Sequence, residues 1–221
     1  MLSSLLRGGI LDWIYQTLVM IPGIILGLSF HEYAHAYVAD RCGDPTPRYM
    51  GRVTLDPRSH VDWFGLISLA LIHFGWGKPV VVNPYNFKNR RRDSILVGIA
   101  GITTNCAIAT VLGLALRVVM FSDATVIFFS TNAAGRIIFD LWFNTVVINF
   151  SLMLFNLIPV PPLDGFGIVS EIFNLKKETV WQFIYKNSMI ILILFILFDI
   201  PSLLLTRPLS FLVNIVCFGV F

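Results

Sequence analysis

Charge is scarce in this sequence. Asp, Glu, Lys and Arg make up 13% of the 221 residues, about half the share in an ordinary soluble domain, roughly 25%. The imbalance of sign is also small, 16 basic against 13 acidic residues, so nothing in the charge indicates a nucleic-acid partner. Cysteine is equally sparse. Cys42, Cys106 and Cys217 lie far apart and form no C-x-x-C pair, which argues against a disulfide framework or a thiolate metal site; they read as small buried hydrophobes. Internal repeats and low-complexity tracts are absent. What the chain has in quantity is apolar surface: 56% of its residues are hydrophobic and its mean hydropathy is +0.78. Disordered chains, collagen-like chains, small secreted scaffolds and typical cytosolic enzymes are thereby excluded. The expected solvent is lipid, around a single domain covering residues 1–221.

A spanning helix needs roughly 20 apolar residues. Trp13–Phe30, Ser94–Leu116 and Leu141–Leu163 carry no charge, and Asn187–Thr206 carries only Asp199. Pro208–Phe221 is apolar but short for a span, and Trp63–Gly77 and Ala124–Gly135 read as re-entrant or interfacial. The expected fold is an all-α polytopic membrane protein with about four to six transmembrane helices. Arg52–Leu55 and Pro79–Val82 read as short strands of a membrane-associated β-hairpin or small sheet. The first apolar helix superficially resembles a signal sequence, but no small-residue cleavage site intervenes and we expect it to be retained.

Basic residues set the expected orientation. Arg41, Arg48, Arg52, Arg58, Lys78, Lys88, Arg90, Arg91 and Arg92 lie between the first two long spans, and Lys176, Lys177 and Lys186 follow the third; Ser122–Gly135 has none. The first and third connections are therefore expected in the cytoplasm. This is a multi-pass cell-membrane protein in contact with the lipid bilayer, its first and third helices both reaching the cytoplasmic side at their carboxyl ends.

The first helix ends in Ser29-Phe30-His31-Glu32-Tyr33-Ala34-His35, an H-E-x-x-H pattern. Residues four apart share a helix face, so His31 and His35 can hold one metal ion while Glu32 takes a proton from a water beside it. Zinc suits these nitrogen and oxygen donors. His31 lies 10 residues before Arg41, about 15 Å inside the helix end. Ionisable groups at that depth are costly in lipid and mark a functional site.

Two imidazoles are too few for a catalytic zinc, which normally has three protein ligands. The third span ends in Asn156-Leu157-Ile158-Pro159-Val160-Pro161-Pro162-Leu163-Asp164-Gly165. Proline breaks the helix there, and the orientation argument brings Asp164 to the depth of His31 and His35. Read from local sequence alone, Asp164 is either the third ligand or part of an Asp-Gly turn.

These motifs resemble the site-2 proteases, intramembrane zinc metalloproteases. His31 through Ala36 matches the metal helix of that family, and Asn156 through Gly165 resembles its N-x-x-P-x-P-P-L-D-G element, which supplies the third ligand. Gly43-Asp44-Pro45-Thr46-Pro47, Gly51–Leu55 and Gly75–Pro84 resemble the small prokaryotic subgroup without a PDZ domain. Two departures stand out. Ala100-Gly101-Ile102-Thr103-Thr104-Asn105 lacks the proline of the family's A-G-P-x-x-N, which bears on helix geometry and on no ligand. Phe166 and Gly167 stand where relatives often carry serine and arginine.

The resemblance implies one zinc ion per chain and a transmembrane protein or peptide as substrate. The expected reaction is peptide hydrolysis, with His31, His35 and Asp164 as metal ligands and Glu32 as general base. Asn156 is either an oxyanion donor or a helix-packing residue. The two extended runs either seat an unwound substrate as an added strand or pair with each other. His60 and His73 are fourth ligands or interfacial polar residues. Asn144 and Asn149 read as interhelical hydrogen-bonding groups. The alternative function is a metal or proton transporter built on the same cluster, disfavoured by the lack of a polar ladder in the outward halves of the spans. A catalytically dead scaffold conflicts with retention of Glu32.

Overall fold

The computed structural model describes residues 2–72, 75–175 and 178–219. The helices run α1 (Leu2–Arg41), α2 (Thr46–Tyr49), α3 (Trp63–Ile72), α4 (Arg90–Val119), α5 (Asp123–Thr131), α6 (Ala133–Leu157), α7 (Asp164–Ile172), α8 (Thr179–Lys186), α9 (Ser188–Leu197) and α10 (Ile200–Val213), the last passing into a π turn at Asn214–Phe218. In hydrocarbon every backbone N–H and C=O must find its partner within the protein, and a helix achieves this along its own segment. Among the described residues, four helical segments are long and apolar enough to cross a bilayer: Gly9–Arg41, Arg90–Val119, Ala133–Leu157 and Ile200–Phe218. The chain is thus an all-α polytopic membrane protein.

Local chemistry sets the helix ends. α1 kinks at Gly9, whose φ of +77° suits glycine. α4 has a reciprocal cap: the Asn89 side chain accepts from the Arg92 amide, and the Asp93 carboxylate accepts from the Asn89 amide. α6 starts on Asn132, whose side chain accepts from the Ala134 and Gly135 amides. It ends at Leu157 because Pro159 drives Ile158 into extended backbone, ψ 131°.

α1, α4 and α6 pack on one another as a central trio, with α7 against α4 and α10 against α6. Lipid supplies no hydrophobic drive between helices, so close packing and hydrogen bonds hold them. Ile102, Ala109 and Leu116 recur every seven residues on α4 and meet Val146, Phe150 and Met153 of α6, with Val213 and Cys217 closing the cluster. Gly23 lets α1 approach α6: a Cβ there would lie 2.9 Å from the Thr145 Cα.

Two expectations are corrected. No strand forms among the described residues; one antiparallel bridge joins Val61 and Gly77. The donors a β-ladder would use are committed elsewhere. The Val80 amide donates to Glu32, the Asn83 amide to Asp44 and the Arg52 amide to the Pro47 carbonyl, while Pro79 and Pro84 have no N–H. The expected span Asn187–Thr206 is broken at Asp199, which adopts φ +53° as α9 gives way to α10. Aspartate tolerates this left-handed conformation, and Pro201 favours a fresh helix start. Ile200–Phe218 is the candidate crossing helix instead, and α8 meets α9 at 70°. The short apolar runs Trp63–Gly77 and Ala124–Gly135 overlap α3 and α5, of 10 and 9 residues, helices of roughly 15 Å that are too short to cross a hydrocarbon core of about 30 Å.

Candidate metal centre

His31 and His35 are both buried, one helical turn apart on α1. Their Nε2 atoms lie 3.0 Å apart. The Asp164 Oδ2 lies 3.1 Å from His31 Nε2 and 3.3 Å from His35 Nε2. These residues form the group of histidine and acidic side chains that could hold a metal ion among the described residues. Donors at 2.0–2.1 Å from a tetrahedral zinc lie roughly 3.3 Å from one another, so the triangle has the right size.

The chemistry of the donors agrees. His35 Nδ1 faces the Val97 carbonyl at 2.7 Å and His31 Nδ1 faces Asn105 Oδ1 at 2.6 Å. Each Nδ1 therefore donates its hydrogen outward, and in the neutral ring each Nε2 presents a lone pair inward. Asp164 Oδ2 is buried without a hydrogen-bond partner. Three acceptors turned toward one point repel one another unless a cation stands between them, so the residues present fit a divalent metal.

Asp164 reaches this point because of the break after α6. Residues 158–163 include three prolines and only three backbone N–H groups. All three are satisfied close by, Ile158 on Phe155 O, Val160 on Ile158 O and Leu163 on Val160 O, so irregular backbone survives within the protein. Gly165 then allows α7 to start against α6; a Cβ there would stand 2.4 Å from the Leu157 carbonyl oxygen. At the other end of α7, Arg91 donates to the carbonyls of Glu171 and Ile172 at 2.9 and 2.6 Å, a cation at a helix C-terminus.

A cleft of about 450 Å³ opens onto the triad and is also lined by Glu32, Pro79, Val80, Asn156 and Tyr185. Glu32 Oε2 accepts from the Val80 amide at 2.8 Å. Asn156 lies in the cleft wall, with Nδ2 donating to the Leu152 carbonyl of its own helix at 3.0 Å.

Other residues named from the sequence fall elsewhere. His60 is buried in the loop, its Nε2 2.8 Å from the Thr54 carbonyl, and takes no part in the triad. His73, Lys176 and Lys177 lie outside the described residues. Asn149 does bridge helices, accepting from Asn105 at 2.9 Å, whereas Asn144 donates to the Asp140 carbonyl within α6. Gly101 and Asn105, to which the sequence reading gave no role at the site, are against His31. A Cβ on Gly101 would lie 2.5 Å from His31 Cε1. The available signal was an asparagine four residues after a glycine inside an otherwise apolar helix.

Residues 19–198 match the family model of Peptidase family M50. The provisionally named zinc metalloprotease YwhC of Bacillus subtilis (strain 168) is 37% identical over 164 residues, covering 72% of this chain and 73% of that one. The provisionally named zinc metalloprotease Rip2 of Mycobacterium tuberculosis (strain H37Rv) is 30% identical over 199 residues, covering 84% of this chain and 68% of its own. No solved structure matches significantly. On this similarity, and with a zinc-sized triad between its helices, the chain belongs to Peptidase family M50, the site-2 protease family, and is a zinc metalloprotease of the membrane.

Proposed function

We propose that the chain is an intramembrane endopeptidase that hydrolyses peptide bonds in or beside transmembrane segments of membrane proteins. Residues 1–221 act as one domain, with the cleft toward the cytoplasm. The observation that carries this reading is the convergence of His31, His35 and Asp164 at 3.0–3.3 Å, with Glu32 in the same cleft.

His31, His35 and Asp164 would hold zinc, which when bound would polarise the scissile carbonyl and lower the pKa of the attacking water. Glu32 Oε2 is held by the Val80 amide, leaving Oε1 to take a proton from the attacking water and return it to the leaving amine. The second amide hydrogen of Asn156 donates to the oxyanion formed at the attacked carbonyl. A substrate helix shields its carbonyls in its own hydrogen bonds, so it must unwind before a peptide bond can enter the cleft.

Purified in detergent and incubated with a transmembrane peptide, Glu32→Gln retains about one zinc per chain and loses cleavage. His35→Ala and Asp164→Ala lose both. Cleavage by Glu32→Gln at the wild-type rate contradicts the mechanism.

A further inference from the structure

A directional chain of hydrogen bonds runs through three helices behind the metal centre. On α6, Asn149 Nδ2 donates to the Thr145 carbonyl at 2.8 Å. A carbonyl can only accept, which fixes the Asn149 amide and presents its Oδ1 to α4. On α4, Asn105 Nδ2 donates to that Oδ1 at 2.9 Å and to the Gly27 carbonyl of α1 at 3.1 Å. Both partners are acceptors, so both Asn105 hydrogens are spent, and its Oδ1 faces His31 Nδ1 at 2.6 Å. An oxygen without hydrogens accepts, so Nδ1 carries the His31 proton. The Nε2 lone pair is then turned toward His35 Nε2 and Asp164 Oδ2. The opposite neutral tautomer would put a hydrogen on Nε2 and block it as a ligand.

The chain has no slack. Asn105 and Asn149 are wholly buried, at 0% exposure. A Cβ on Gly27 would lie 3.2 Å from Asn149 Oδ1, and one on Gly101 would strike the His31 ring. We infer that Asn105, oriented by Asn149, is a positioning residue that selects the zinc-binding tautomer of His31 and fixes its ring. The inference deepens the proposed function and rests on its reading of His31, His35 and Asp164 as zinc ligands. Partners of this kind behind a ligating histidine typically contribute 10–100-fold to metal affinity.

The test uses the full chain in detergent, with zinc affinity read by competition against a chromogenic chelator. Asn105→Leu keeps the shape without the hydrogen bonds, and Asn105→Asp keeps an acceptor facing Nδ1. The leucine variant is expected to bind zinc about 10–100-fold more weakly, and the aspartate variant close to wild type. Nitrogen-15 spectra of the four histidines, with the His31 signal identified by His31→Gln, give a second readout: in zinc-free wild type His31 holds its proton on Nδ1. Wild-type affinity in Asn105→Leu, an equal loss in Asn105→Asp, or a proton on Nε2 of His31 overturns the inference. If the leucine variant does not fold, the wild-type tautomer decides alone. Retention of zinc by His35→Ala and Asp164→Ala overturns the ligand reading and this inference with it; loss there with retention in Asn105→Leu overturns this inference only.

Discussion

At the scale of single residues, position along a helix does most of the chemistry. His31, Glu32 and His35 were legible in the sequence as a candidate site because ionisable side chains stand out in apolar runs and because a spacing of four puts two imidazoles on one face, whereas the local sequence of Asp164 read as either a ligand or a turn until the family resemblance pointed to a ligand. Asn105 was not legible in its role. An asparagine in an apolar span reads as a helix-packing group, and its partner depends on how closely α1 and α4 approach at Gly101. Asn156 is different: its place in the cleft wall agrees with an oxyanion donor, while its bond to Leu152 agrees with a helix role. The two separate kinetically. Asn156→Ala is expected to lower kcat about 10²–10³-fold, the typical effect of losing one oxyanion donor, with KM and zinc content unchanged. An unchanged kcat assigns Asn156 to helix packing.

At the scale of elements, periodicity announced the long helices, but the connections depended on contacts distant in sequence. Two runs with strand character do not pair because the Val80 and Asn83 amides go to the carboxylates of Glu32 and Asp44. Asp44 is the hub of this connection. It accepts from the amide and hydroxyl of Thr46 at 3.1 and 2.6 Å, from the Asn83 amide at 2.7 Å and from the Asn86 side chain at 2.8 Å. Burial alone would raise its carboxyl, but hydrogen bonds from Thr46, Asn86 and Asn83 hold it below the ordinary 3.8. A depressed folded value means that the stabilisation is complete above the unfolded pKa and is lost as pH falls through the lower folded one. Asp44→Ala is expected to cost about 3 kcal/mol at neutral pH by leaving donors unpaired. The gap to wild type should narrow only as pH drops below about 4. Thermal unfolding in detergent across pH checks this, and a variant as stable as wild type at pH 7 contradicts it.

At the scale of the whole molecule, α1, α4 and α6 form the scaffold, and α7 is docked against it by the proline break, Gly165 and Arg91. The outer surface carries large exposed apolar side chains such as Leu203 and Phe211, as expected where lipid is the solvent. This assembly joins residues 31–35 to residue 164, far apart in sequence, around one point. Zinc K-edge X-ray absorption on the purified full chain tests that union most directly. The account predicts only nitrogen and oxygen neighbours at about 2.0–2.2 Å, with two imidazoles among them, and loss of the bound metal in Asp164→Ala. Sulfur neighbours at about 2.3 Å, or an unaltered metal environment in Asp164→Ala, would contradict it.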